Sequence, residues 1–244
     1  MTFCVGIRVR DGLVALADTQ IVRGEELSNK AKLSLLEHGG SPIFLMTSGL
    51  RSIRDKAVLR LEDELATRPS PHERLYRVVT DFGDQIKRVR DEDGPSLQRS
   101  GLRFDSHAII GGQLHGDDEP ALFMVYPEGN WIDATPDSPY FIIGRTSYGK
   151  PILDRLLHHD TPLPQAVALA YLAFDSTRAS VVDVEFPIDL VLLQTAGGGL
   201  RHHRFSAQEL TAAHRFWHER LQAALDEFPM AWAAPIWPAS KEAR

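Results

Sequence analysis

The sequence predicts an α+β protein built as a four-layer α-β-β-α sandwich, with two mainly antiparallel sheets face to face and helix pairs flanking them. Three observations carry this. Strand-like and helix-like segments come in blocks, in the order β, αα, β, αα, β, α, rather than in the strict β-α alternation of a parallel sheet. Short turn signals join the strands within each block, which favours antiparallel pairing. The helical segments carry one apolar face each, so each can lie on a sheet.

The first strand is read from period two: Phe3, Val5, Ile7 and Val9 alternate with Cys4, Gly6, Arg8 and Arg10. Asp11-Gly12 is a hairpin dipeptide, and Leu13 to Ala17 is a short apolar run that ends at Asp18. Thr19 to Asn29 is expected to be loose. Lys30 to Leu36 reads as a strand, His38-Gly39-Gly40-Ser41 as a turn, and Pro42 to Thr47 as the next strand.

The period then changes. Leu50, Ile53, Ala57, Val58, Leu61 and Leu65 repeat at helical spacing, as do Leu75, Val78, Val79, Phe82, Ile86 and Val89. Ser70, Pro71 and Glu73 suggest a capping box at the start of the second helix. Gly94 to Gly101 is expected to be a loop. Strands are expected at Asp105 to Leu114, Ala121 to Tyr126, Trp131 to Ala134 and Tyr140 to Ile143, then helices at Ile152 to Leu157 and Pro164 to Phe174. Val181 to Thr195 and His202 to Phe205 read as strands around Gly197-Gly198-Gly199. A last helix runs from Ala207 to Asp226, with Ser206 and Glu209 as its capping box. This gives one domain over residues 1–226 and an aromatic, proline-rich tail over 227–244, where Trp232 and Trp237 suggest packing on another subunit.

Composition narrows the function. Hydrophobic residues make up 43% of the 244, enough to bury a real core. A net charge of −6 argues against a general nucleic-acid or anionic-membrane binder. Cys4 is the single cysteine, so no internal disulfide framework exists and a reducing, cytoplasmic setting is expected. No stretch approaches the roughly 18–20 apolar residues of a membrane span.

Thr2 carries the chemistry. Methionine aminopeptidases remove Met1 before a small side chain, which leaves a threonine with a hydroxyl and a free α-amine. Such a residue holds a nucleophile and its base together. The amine's ordinary pKa of about 7.7–8.0 supplies a neutral fraction near working pH. The hairpin behind Thr2 would hold it rigid.

Several ordered features resemble one family: the opening MTFCVGIRVRDGLVALADT, the apolar strand KLSLL after a lysine, the Thr47-Ser48-Gly49 turn, GRTSYGKPILD, and FDSTRAS leading into PIDLVLL. Over residues 1–226 the chain resembles proteasome-type β-subunits, which are N-terminal-nucleophile hydrolases. The similarity is greatest to the bacterial proteasome-related members, the ancestral β-subunit type and the betaproteobacterial homologue.

The resemblance implies a threonine-type endopeptidase. In it Thr2 attacks, Asp18 holds a lysine that tunes the amine, Gly49 offers an oxyanion N–H, and Ser180 orients the amine. Lys32 matches that lysine best, and Lys30, two residues earlier, is the alternative. Two departures stand out. Gln20 replaces a common arginine, with Arg23 nearby, and Thr177 stands three before Ser180 where an aspartate is usual, with Asp175 five before it.

A homo-oligomeric ring, stacked in turn on others, unfolded polypeptide or peptide substrates, no cofactor and no metal are implied, with room for an unfoldase partner. Two other readings stay open: an amidohydrolase acting on a small molecule, and a catalytically weak structural ring. Gly144 to Pro151 nearly fits a phosphate-binding loop, but Pro151 lacks the hydroxyl that would meet Mg²⁺. His214 and His218, four apart on a helix, lack a HExxH-type glutamate, and paired surface histidines are commoner than metal sites.

Overall fold

In the computed structural model, which describes residues 2–23, 26–29, 31–195 and 199–236 (21–23 and 26–29 by backbone alone), the opening alternation becomes β1 (Phe3–Val9). It turns at Arg10-Asp11 into β2 (Gly12–Asp18), with Val9 opposite Gly12. Two short strands follow, β3 (Gln20–Arg23) and β4 (Glu26–Asn29), paired with each other as a ribbon. This corrects the expected loose segment. The ribbon has no continuous apolar face, so the sequence pattern does not announce it.

β5 (Leu33–His38) pairs with β6 (Ser41–Gly49) through Gly39-Gly40, whose φ values of 59° and 78° make the tight turn that glycine allows. Two helices come next, α1 (Arg51–Thr67) and α2 (Leu75–Arg99).

α2 departs from expectation at both ends. No side chain of the Ser70–Glu73 segment caps it. Instead the Asp117 carboxylate accepts from the Leu75 N–H at 2.9 Å and the Leu114 N–H at 3.0 Å. The helix also runs through the expected loop at 94–101 with Pro95 inside it. Proline forfeits one helical N–H there, but Leu97 packs on the core beyond it, and tertiary burial outweighs the local break.

A second strand block follows: β7 (Ser106–Gly112), β8 (Ala121–Val125), β9 (Trp131–Asp133) and β10 (Tyr140–Gly144). Then come α3 (Lys150–Leu156), α4 (Leu163–Arg178), β11 (Ile188–Gln194) and β12 (Leu200–Phe205). Residues 181–187, expected to be strand, form a loop. Pro187 lacks a donor, and Asp183 and Glu185 are drawn into ion pairs with Arg145 and Arg178.

The strands form two five-stranded antiparallel sheets, ordered β10-β1-β2-β11-β12 and β5-β6-β7-β8-β9. Cys4, Leu13, Phe44, Met46, Ile109 and Val191 pack between the sheets. α1 and α2 cover the outside of the second sheet through Ile53, Leu61, Val78 and Phe82, and α4 covers the first, with Phe174 against Phe3 at 6.3 Å between ring centres. The result is the four-layer α-β-β-α sandwich.

The chain divides into two compact units, Met1–Ser206 and Ala207–Arg244. The second contains α5 (Thr211–Asp226), so this helix groups with the segment read as a tail. α5 begins four residues later than expected and has no side-chain cap. Trp232 is exposed, and Trp237 and Pro238 lie outside the described residues. Among the described residues, no helix is long and apolar enough to cross a membrane.

Candidate active site

The hairpin of β1 and β2 carries Thr2 at one end and Asp18 at the other, and antiparallel pairing brings those ends together. Thr2 is buried. Its carbonyl accepts from the Arg145 N–H at 2.8 Å, just beyond β10. Gly144 makes this approach feasible. Its φ is +90°, and a Cβ there would stand 1.9 Å from the Thr2 carbonyl oxygen.

Asp18 does two things at once. One of its oxygens accepts from the Phe3 N–H at 2.8 Å. Both accept from the Lys32 ammonium, at 2.7 and 2.6 Å. The two side chains are 0% and 3% exposed, so this is a buried ion pair rather than a surface contact. Burial raises the Asp18 carboxyl above its ordinary value, against the opposing pull of Lys32 and the Phe3 N–H. Lys32 is anchored in turn, since its carbonyl accepts from the Thr47 N–H of β6 at 3.0 Å. Lys30 lies outside the described residues.

Gly49 ends β6, two residues beyond Thr47, where the chain enters α1. Its φ is +100°, and a Cβ would meet the Asp105 carbonyl oxygen at 1.7 Å. A cavity of about 250 Å³ opens between β5 and α1, lined by Lys32, Ser34, Arg54, Asp55, Val58 and Leu59.

The rest of the predicted set is placed differently. Ser180 is exposed at the end of α4, and its hydroxyl donates to the Ser176 carbonyl at 3.0 Å. Thr177 is buried, with its hydroxyl on the Ala173 carbonyl at 2.8 Å. Asp175 pairs with Arg178 at 3.3 Å. Arg23 is described by backbone alone.

Asp183, in the loop after α4, is a buried carboxylate outside the predicted set. Its carboxylate meets the Arg145 guanidinium at 3.2 Å, and Arg145 is the residue bonded to Thr2. Burial alone would raise the Asp183 carboxyl, but Arg145 and the positive N-terminus outweigh it and hold it below the ordinary range. A carboxylate three residues after Ser180 was the available signal. The apolar run that makes 181–195 read as one strand conceals it.

Other reactive groups are occupied. Lys150, in the segment that nearly fits a phosphate loop, contacts Asp154 at 2.9 Å and the Tyr140 hydroxyl at 3.0 Å. Cys4 is fully buried, and burial first, then the Asp18 charge, pushes its thiol far above the ordinary range. The native protein is therefore expected to take up no iodoacetamide at pH 8, and the unfolded chain one equivalent, as read by intact mass. Uptake by the native form would contradict this packing.

Two antiparallel sheets between helix layers, with the chain's second residue buried beside a lysine-carboxylate pair, define the N-terminal-nucleophile hydrolase fold. The proteasome subunit family model matches residues 2–191, and the chain belongs to that family. Among solved structures, the Gly-1 mutant of Anbu from Hyphomicrobium sp. strain MC1 is similar at 33% identity, over 94% of this chain and 98% of that one, with a TM-score of 0.84. Anbu (ancestral beta-subunit) from Yersinia bercovieri is similar at 28% identity, over 93% and 97%, with a TM-score of 0.83. The helical assembly of the Anbu complex from Pseudomonas aeruginosa is similar at 29%, over 93% and 97%, with a TM-score of 0.85. A search of curated proteins finds no match.

Proposed function

We infer that this protein is a threonine-type peptidase subunit that hydrolyses peptide bonds with Thr2 after Met1 is removed. The observation that carries the reading is the buried Lys32–Asp18 pair, whose carboxylate also grips the Phe3 N–H next to the nucleophile. Thr2 Oγ adds to the peptide carbonyl, and its proton passes to the Thr2 amine directly or through a water. The ammonium of Lys32 disfavours a second positive charge and so keeps the amine available as a base. The Gly49 N–H, at a turn fixed by positive φ, is assigned to the oxyanion. Collapse expels the amine half of the substrate, which takes the proton, and water then hydrolyses the Thr2 ester.

The active form is a homo-oligomer in the cytoplasm that admits unfolded polypeptide or peptide. The structurally similar Pseudomonas aeruginosa relative forms a helical assembly, which supports self-association here. Sedimentation of the purified protein is expected to give a species many times the 27.2 kDa chain, and a monomer at micromolar concentration would contradict it.

Intact mass tests the chemistry. The wild type is expected to lack Met1 and to gain one equivalent of a hydroxyl-directed electrophile such as a peptide epoxyketone. Thr2→Ala should gain none and should lose peptide turnover by at least about 1,000-fold. Wild type that neither cleaves peptides nor takes up the electrophile would sink the reading, and cleavage of small amides alone would replace it with a small-molecule amidohydrolase.

A further inference from the structure

Arg145 is bonded in two directions. Its backbone N–H donates to the Thr2 carbonyl at 2.8 Å, and its guanidinium reaches the Asp183 carboxylate at 3.2 Å. Gly144, pressed against the Thr2 carbonyl, leaves Arg145 little freedom to move away. Asp183 is only 9% exposed. The positive N-terminus acts on both Asp183 and Asp18. Removal of Met1 moves the amine back by one residue, at most about 3.6 Å, onto Thr2 itself.

We propose that Asp183 and Arg145 form a positioning pair for the Thr2 amine, in which the carboxylate draws the amine into place and the guanidinium moderates its charge. The inference rests on Thr2 being the nucleophile. It assigns the task to residues outside the motif that the family resemblance supplied, where Asp175 is paired with Arg178 and Ser180 donates to Ser176.

Other charged groups act on the Cys4 thiol, two residues along β1 from Thr2: Asp18 on β2, Lys32 before β5, Arg54 on α1 and Asp189 on β11. The charged members are held in ion pairs of their own: Lys32 with Asp18, Arg54 with Asp55, and Arg204 with Asp189. A change at Asp183 or Arg145 therefore leaves those pairs intact.

The expected signs follow from charge. A nearby carboxylate favours the ammonium form of the amine and a nearby guanidinium disfavours it. Asp183→Asn should therefore let the amine lose its proton at lower pH, and Arg145→Gln at higher pH. Each midpoint is expected to move by about one pH unit, the scale of one added or removed charge at several ångströms in a partly buried site. Arg145→Lys, which keeps the charge, should stay near the wild-type value.

The measurement is the pH titration of the Thr2 Cα resonance in processed protein labelled with carbon-13 threonine, alongside the pH profile of epoxyketone uptake. Shifts of opposite sign in Asp183→Asn and Arg145→Gln, matched by the acid limb of the uptake profile, support the pair. Unmoved midpoints, or shifts of the same sign, overturn it. The titration reads the amine without any turnover. Wild type that titrates but never takes up the electrophile defeats the peptidase reading instead, and the two failures stay distinct.

Discussion

Replacing Lys32 with alanine is expected to cost about 3–5 kcal/mol of stability and to remove most reactivity of Thr2. The stability loss comes from the carboxylate that remains. Asp18 has no exposed surface. Without the ammonium it keeps the Phe3 N–H, which leaves a buried charge poorly compensated. Asp18 is already raised by burial, and loss of Lys32 raises it further. A carboxyl whose folded-state pKa lies above its unfolded value is penalised above that pKa and relieved below it. The variant should thus recover stability relative to wild type as pH falls through the folded-state pKa of Asp18. Urea denaturation across pH reads this, and a loss under about 1 kcal/mol at pH 7.5 would contradict the buried pair.

The chemical part separates from the structural part in a double variant. Asp18→Asn with Lys32→Met removes both charges at similar volume, which is often close to neutral for stability. The introduced amide oxygen can still accept from the Phe3 N–H. Stability should return to within about 1.5 kcal/mol of wild type. Epoxyketone uptake at pH 7.5 should fall by about three- to fourfold, because without the neighbouring ammonium the amine returns to its ordinary range of about 7.7–8.0 and only part of it is neutral. Uptake at the wild-type rate would show that the pair only braces the fold.

Local pattern made some of this legible and concealed the rest. The alternation from Phe3 to Val9 and the run ending at Asp18 gave the hairpin, and a hairpin alone dictates that its two ends meet. The resemblance assigns Asp18 to the site, and the hairpin is the physical reason it meets the Phe3 N–H beside Thr2. Lys32, just ahead of an apolar strand, is named through the resemblance, with Lys30 as the alternative, because its meeting with Asp18 joins the end of one sheet to the edge of the other and no local pattern marks it. Asp183 was not readable. Its partner Arg145 is 38 residues away, and no periodicity marks a loop that folds back onto the N-terminus. Helix boundaries failed where tertiary contacts replaced local ones. Asp117 caps α2 from 42 residues on, and Leu97 carries the helix past Pro95 by packing.

The Gly49→Ala variant is expected to lose about 3 kcal/mol or more and to lose reactivity beyond what instability explains. A φ of +100° is strained for alanine, and its Cβ would stand 1.7 Å from the Asp105 carbonyl oxygen and 2.7 Å from the carbon. Those atoms belong to the backbone leading into β7, so they cannot turn aside as a side chain could. Relief requires opening the Gly49–Ser106 pair, which tilts the entry to α1 and carries the Gly49 N–H with it. Gly40→Ala is the matched control. Its φ is +78°, nothing lies within 4 Å of the added Cβ, and it sits in the β5–β6 turn. It should cost about 1–2 kcal/mol from conformation alone and leave epoxyketone uptake unchanged. Urea denaturation and uptake under conditions where both variants are folded give the comparison. If Gly49→Ala is destabilised yet takes up the electrophile at the wild-type rate, the oxyanion is held by some other N–H. If it matches Gly40→Ala in both measurements, the close approach of Asp105 does not govern the turn.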